Sequence, residues 1–398
     1  MSKWKNAKSF VELAFAIDMY LPGYVDAYFG PPEIRESVAT REKKPLQELS
    51  SAVDQIIDTT RQDTTLPDRR REYLTAELKA MQTTLRILKG EEIDIIEETQ
   101  GLYGLTPIWI DESVFEDAQR ELDALLPGAG SIAERMENFR SKTIIPRERL
   151  ESIVGSLADD FQSRTLKLVA LPEGESCEFH FVKDKPWGGY NWYLGKYSSR
   201  IDINTDFPSY VGFLPHLIAH EAYAGHHSEH ILKEMKFYWD QGQLEHSILL
   251  NNTPSAVISE GIAENALEII ATPDEIIQIY QTVLHQAGLE EIDGNQIHQI
   301  NKARLPLGKV SINRILLLHG KGASDEEVIN YGMRYALLNK KRSRKALEFL
   351  KDPLWRSYGT LYPVSYDLVR NYVNTGDNKK ERFLSLLQEP FTTSQLIN

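Results

Sequence analysis

The chain has 398 residues, of which 41% are hydrophobic and 26% charged, a balance that permits a substantial core and excludes a disordered or fibrous protein. A formal net charge of -13 excludes nonspecific nucleic-acid binding, which needs a surplus of Lys and Arg to displace phosphate counterions. One cysteine, Cys177, excludes an internal disulfide and any cysteine-based metal cluster, and fits a reducing compartment.

The opening Met1-Ser2-Lys3-Trp4-Lys5 leads into a polar stretch without the apolar core of a signal peptide. No run approaches the roughly 18 consecutive apolar residues that a membrane span needs. The cytoplasm is the expected location, with neither nucleic acid nor membrane as partner.

Helical periodicity dominates the first 170 residues. Leu74, Leu78, Met81, Leu85 and Leu88 recur at spacings of four and three, predicting one buried helix face that ends at Gly90. Asp111 reads as the N-cap of a helix with Phe115, Ala118, Leu122 and Leu125 inward. Pro146 opens another, with Leu150, Ile153, Leu157 and Phe161 on one side. Between about 176 and 206 the pattern changes: Phe179, Phe181, Trp192, Ile201 and Ile203 alternate around a Pro186-Trp187-Gly188-Gly189 turn signal. This predicts a small antiparallel sheet whose last strand, Ile201-Asp202-Ile203-Asn204, leads through Pro208 into a histidine-bearing helix, placing a sheet edge where an extended peptide could bind. Helices resume with start signals at Thr253-Pro254, Thr272-Pro273 and Ser324 with Glu327, and Gly320 and Gly376 read as stops. The expected architecture is one mainly α domain over 1–398. It is a large helical zincin-like array, with lobes of about 1–175 and 207–398 flanking a cleft and the small antiparallel sheet beside it.

Six of the ten histidines, His216, His220, His226, His227, His230 and His246, fall within 31 residues. The run His220-Glu221-Ala222-Tyr223-Ala224-Gly225-His226-His227 begins like a zinc-hydrolase helix, but the second histidine is late. In H-E-x-x-H the imidazoles stand at i and i+4, about 40° apart, so both reach one ion. A histidine at i+6 points about 120° away, and one at i+7 lies about 10 Å further along. A shared ion therefore requires the helix to break, and Gly225 is the low-cost place for it.

A third ligand is expected from Ser259-Glu260-Gly261-Ile262-Ala263-Glu264. There the two carboxylates share one helix face, and Gly261 and Ala263 let another helix approach. The arrangement is that of the glutamate zincins, with Glu260 as ligand and Glu264 orienting a ligand histidine. The expected metal set is His220, His226 and Glu260 around Zn2+ or another divalent cation, with His227 as the alternative to His226. Glu221 is the expected general base. Tyr358, Tyr362 and Tyr366, spaced by four, are candidate oxyanion donors, with Tyr362 and Tyr366 assigned to catalysis. Arg200, Arg314 and Arg334 are candidates for holding a substrate carboxylate.

These motifs resemble the bacterial domain of unknown function 885 family, which carries H-E-x-x-P-G-H-H followed by E-G-[WI]-A, here with Ala224 at the proline position. The resemblance extends to Pro22-Gly23-Tyr24-Val25-Asp26-Ala27-Tyr28-Phe29-Gly30-Pro31, Leu102-Tyr103-Gly104 and Asn204-Thr205-Asp206. That family is similar to helical zinc carboxypeptidases and oligopeptidases. The resemblance implies a helical fold with a cleft and a small sheet, zinc at the centre, and hydrolysis of a peptide. A non-peptide amide or ester substrate, or a noncatalytic metal-binding protein on the same scaffold, are the alternatives.

Overall fold

The helix expected around Leu74 and Leu85 spans Asp68–Leu88 and buries Leu74, Leu78, Met81 and Leu85, with Gly90 beyond it at φ 76°. The structure is a computed structural model that describes residues 4–185, 187–353 and 355–397. Met1, Ser2, Lys3 and Pro186 of the expected turn lie outside the described residues. Asp111 caps the Glu112–Leu125 helix by accepting from Ser113 N–H, and Pro146 precedes the Arg147–Leu166 helix. Thr253, Thr272 and Ser324 cap their helices as predicted, the last two within full capping boxes. The fold is mainly α. Among the described residues no helix is long and apolar enough to cross a membrane.

The small sheet is mixed, which corrects the antiparallel expectation. Its strands are β2 (Ser176–Val182), β3 (Gly189–Gly195) and β4 (Ser198–Asn204), in the order β2-β4-β3. β4 runs parallel to β2, with Phe179 opposite Ile201 and Phe181 opposite Ile203, and antiparallel to β3. The tight turn is Lys196-Tyr197, where both residues have positive φ, as a two-residue hairpin requires. Side-chain alternation is the same in parallel and antiparallel strands, so the pattern alone does not reveal the pairing. A second sheet, unforeseen, pairs β1 (Val25–Tyr28) antiparallel with β5 (Ile248–Leu250). These strands are too short for a periodic signal.

The buried clusters cross the sequence boundary near 175. One joins Phe10, Leu49, Leu74 and Met81 to Ile248 and Leu250 of β5. Another joins Phe115, Leu157 and Phe161 to Ile201, Ile218 and helices extending to Val310. A third surrounds the Pro254–Ile270 helix with the Leu361–Asn374 helix and the carboxyl-terminal segments. At Gly261 a Cβ would stand 2.4 Å from Val369 Cγ2 and 2.6 Å from the Ser365 carbonyl oxygen. As expected of this glycine, it lets a neighbouring helix come close. That crossing brings Tyr358, just before the Leu361–Asn374 helix, and Tyr362, in its first turn, to Glu260.

Candidate metal centre

The helix bearing His220 spans Leu214–Glu221 and stops, and a new helix spans His226–Lys233. The break occurs where the spacing demanded it, but the residues divide the work differently. Ala224 takes the left-handed conformation, at φ 72°, and donates its N–H to Ser228 Oγ at 3.0 Å. Gly225 has φ -92° and is needed for closeness instead. A Cβ there would lie 2.0 Å from the carbonyl oxygen of His220 and 2.3 Å from that of Ala219. The chain thus folds over the last carbonyls of the first helix. Proline, fixed near φ ≈ −65°, could not occupy position 224 in this conformation.

The corner brings the His220 and His226 rings edge to face, with centroids 4.8 Å apart. His220 Nε2 is 3.6 Å and His226 Nε2 is 3.9 Å from Glu260 Oε2. The three donor atoms lie within 4.8 Å of one another. Glu260 Oε1 accepts from the Tyr358 hydroxyl at 3.2 Å, while Oε2 is buried with no hydrogen-bond partner among the described residues. Donors held about 2.1 Å from a tetrahedral ion stand about 3.4 Å apart, so this set fits a divalent cation. Burial, then the charges of Glu264 and Glu221, push the Glu260 carboxyl well above its ordinary range. A carboxylate kept here needs a positive partner.

Glu264 lies between two imidazoles, 3.7 Å from His220 Nδ1 and 3.5 Å from His216 Nε2. Burial alone would raise its pKa, but the hydrogen bond and charge of His216, followed by His220, bring it down to about 2. His216 moves up, the pull of Glu264 overcoming burial. A second trio, His216, His220 and Glu264, also gathers donor atoms within 4.8 Å. It shares His220 with the first and is already internally paired.

Glu221 is buried at the wall of the same cavity, with Oε1 3.4 Å from where a Cβ on Gly189 would stand. Asn191 Nδ2 donates to the Glu221 backbone carbonyl at 2.6 Å. The strand beside the site is therefore β3, at the sheet edge. β4, expected there, is central. Burial, followed by the charges of Asp26 and Glu264, raises Glu221 to about 8.

His227 is directed elsewhere. It is fully buried, with Nδ1 2.9 Å from Ser199 Oγ on β4 and Nε2 2.9 Å from Glu175 Oε2. Both ring nitrogens are committed. Tyr362 lines the cavity next to Tyr358, with ring centroids 5.8 Å apart. Tyr366 does not line it, and its hydroxyl donates to Glu268 Oε1 at 2.8 Å on the outer side of the helix. The three arginines are also committed away from the cavity. Arg200 pairs with Asp202, Arg314 donates to the Val328 and Ser343 carbonyls, and Arg334 stands 3.6 Å from Glu116.

Two supporting residues escaped the sequence reading. Ser259 Oγ lies 3.1 Å from His226 Nδ1 and donates to Glu229 Oε2, and Glu229 is in turn paired with Lys233. This chain fixes the His226 ring with its Nε2 toward Glu260. Ser259 precedes the E-G-I-A motif, and Glu229 stands three residues past His226. Adjacency to a ligand was the one available signal. The whole centre opens on a cavity of about 780 Å³.

No protein-family model and no curated protein matches the sequence. Two solved structures are similar in fold. One is a "putative lipoprotein" from Colwellia psychrerythraea, 13% identical at a TM-score of 0.52, with the alignment covering 100% of this chain and 76% of that one. The other is a "putative lipoprotein of unknown function" from Shewanella oneidensis, 12% identical at a TM-score of 0.50, covering 99% and 82% respectively. At these identities the likeness is one of fold.

Proposed function

We propose that the chain is a zinc-dependent hydrolase of peptide bonds, with His220, His226 and Glu260 as the metal ligands and Glu221 as the general base. The observation that carries this is Glu260 Oε2, buried without a hydrogen-bond partner among the described residues and facing two imidazole nitrogens. Unpaired buried carboxylate oxygens are costly, and a cation shared with neutral histidines removes the cost. Burial lowers the pKa of both His220 and His226, which keeps their lone pairs free for a metal. The motif resemblance to the domain of unknown function 885 family and to helical zinc peptidases supports the same reading.

Bound between these ligands, a zinc ion would polarise the substrate carbonyl and make a water at its open position acidic. Glu221 would take a proton from the attacking water and return it to the departing nitrogen. Glu264 holds His220 through Nδ1, and Ser259 holds His226 through Nδ1. Tyr362 is the oxyanion donor. The charge of Glu260, then burial, keeps its hydroxyl protonated and able to donate.

The test is metal analysis of the purified protein, with hydrolysis of a mixed peptide library before and after chelation and in Glu221→Gln. Stoichiometric zinc with Glu221-dependent cleavage is the expected result. Zinc without such cleavage of any amide or ester would favour a noncatalytic metal protein, and absence of metal binding would overturn the site. A cytoplasmic location is proposed from the lone cysteine, and fractionation of the native host tests it.

A further inference from the structure

A carboxypeptidase needs an uncommitted cation for the substrate carboxylate, and the cavity does not offer one among the described residues. Its lining includes Asp26, Glu77, Glu221, Glu229, Glu245 and Glu260 against Lys233, which is paired with Glu229. At one end, Glu245 is paired with the buried Arg70, so that cation too is committed.

Next to the metal centre stands Asp26 of β1, which makes no ion pair among the described residues and accepts from the Tyr190 hydroxyl. Tyr190 adjoins Gly189, the residue against Glu221, so Asp26 and the general base share one wall of the cavity. The Tyr190 ring packs on Trp187 and Trp192, with centroids 5.4 and 4.5 Å away, and Trp187, Trp355, Tyr358 and Tyr362 line the cavity with it. Carboxylates among aromatic faces attract ammonium groups and repel carboxylates.

We infer that the substrate presents a free protonated amino group to Asp26, so that this site cleaves short peptides from the amino end. The inference rests on the metal-hydrolase reading. The inference requires that an α-amine held by Asp26 place the first carbonyl carbon at the metal centre, whose residues line the same cavity. There a C–O bond forms from water, the C–N bond breaks, and the proton taken by Glu221 goes to the released nitrogen.

The test is calorimetric binding of leucine hydroxamate and N-acetyl-leucine hydroxamate to zinc-loaded protein, in the wild type, Asp26→Asn and Tyr190→Phe. The free amine is expected to bind at least about tenfold more tightly than the acetylated compound, the worth of one charge-assisted hydrogen bond. Asp26→Asn erases that ratio with zinc content and thermal unfolding unchanged, and Tyr190→Phe, which keeps the charge, retains most of it. Equal or tighter binding of the acetylated compound overturns the amine inference and leaves the zinc site standing. If the protein takes up no zinc, the hydrolase reading fails, and the same comparison is made on metal-free protein with leucine amide and N-acetyl-leucine amide. Saturable binding of leucine amide that Asp26→Asn abolishes supports the amine site, and no difference between the two amides overturns it.

Discussion

The Tyr358 hydroxyl donates to Glu260 Oε1 at 3.2 Å and thereby turns the other oxygen, Oε2, toward His220 and His226. Removing that hydroxyl in Tyr358→Phe leaves all three ligands present but frees the carboxylate to rotate. Zinc affinity is expected to fall about 10–100-fold, the usual effect of losing a group that orients a ligand. Competition with a chelator of known affinity measures it, and an unchanged affinity would remove Tyr358 from the site.

Replacing Glu221 by Gln keeps size and hydrogen bonding but removes the base. Zinc content should stay at the wild-type level while peptide hydrolysis drops about 10²–10⁴-fold. Loss of metal together with activity would show that Glu221 acts as a ligand instead.

The two adjacent histidines should separate cleanly. His226→Ala is expected to lose zinc and remain folded. His227→Ala should keep zinc but lose about 1–3 kcal/mol of stability, because it removes the partner of buried Ser199 Oγ and one of the three groups that hold Glu175, leaving Gln162 and Tyr223. Urea denaturation beside metal analysis tests both, and a reversed pattern would exchange their roles.

Ala224 is the residue whose backbone bears the strain of the corner. Ala224→Gly should preserve zinc binding and raise stability by up to about 1 kcal/mol, since glycine adopts positive φ without a Cβ clash. Ala224→Pro cannot take φ 72° and should weaken both folding and metal uptake. Normal zinc affinity in the proline variant would mean that the corner has a second solution.

Glu77 gives a pH dependence of stability independent of the metal centre. Burial raises its pKa from 4.5 to about 7, although it accepts from Ser255 N–H at 2.9 Å. Between these values the folded chain holds a proton that the unfolded chain has released. Stability should therefore fall as pH rises from 4.5 to about 7, and this part stays lost above it. The shift corresponds to about 3 kcal/mol. Denaturation from pH 4.5 to 8 should show the slope in the wild type and a flatter one in Glu77→Gln, and parallel curves would refute the assignment.

Much of the helical scaffold was legible because caps and apolar periodicity are local: Asp111, Thr253 and Ser324 start helices where their side chains find free backbone N–H groups. The pairing of β2 with β4 was not, since alternation carries no direction. In the centre, the spacing of His220 and His226 required a break, and the motif limited where it could fall. Which residue would go left-handed depended on contact with the Ala219 and His220 carbonyls, a tertiary constraint absent from local propensity. That His226 and not His227 comes to face His220 and Glu260 likewise depends on distant residues, Glu175 and Ser199, which hold His227.

The Tyr358–Glu260 contact joins residues 98 positions apart, and the close crossing at Gly261 is what permits it. Contacts of such separation form late, after the cost of closing the intervening loop has been met. A partly folded chain therefore carries its histidines without an oriented carboxylate to complete them. Competence at this centre becomes a property of the finished molecule, and folding intermediates are silent.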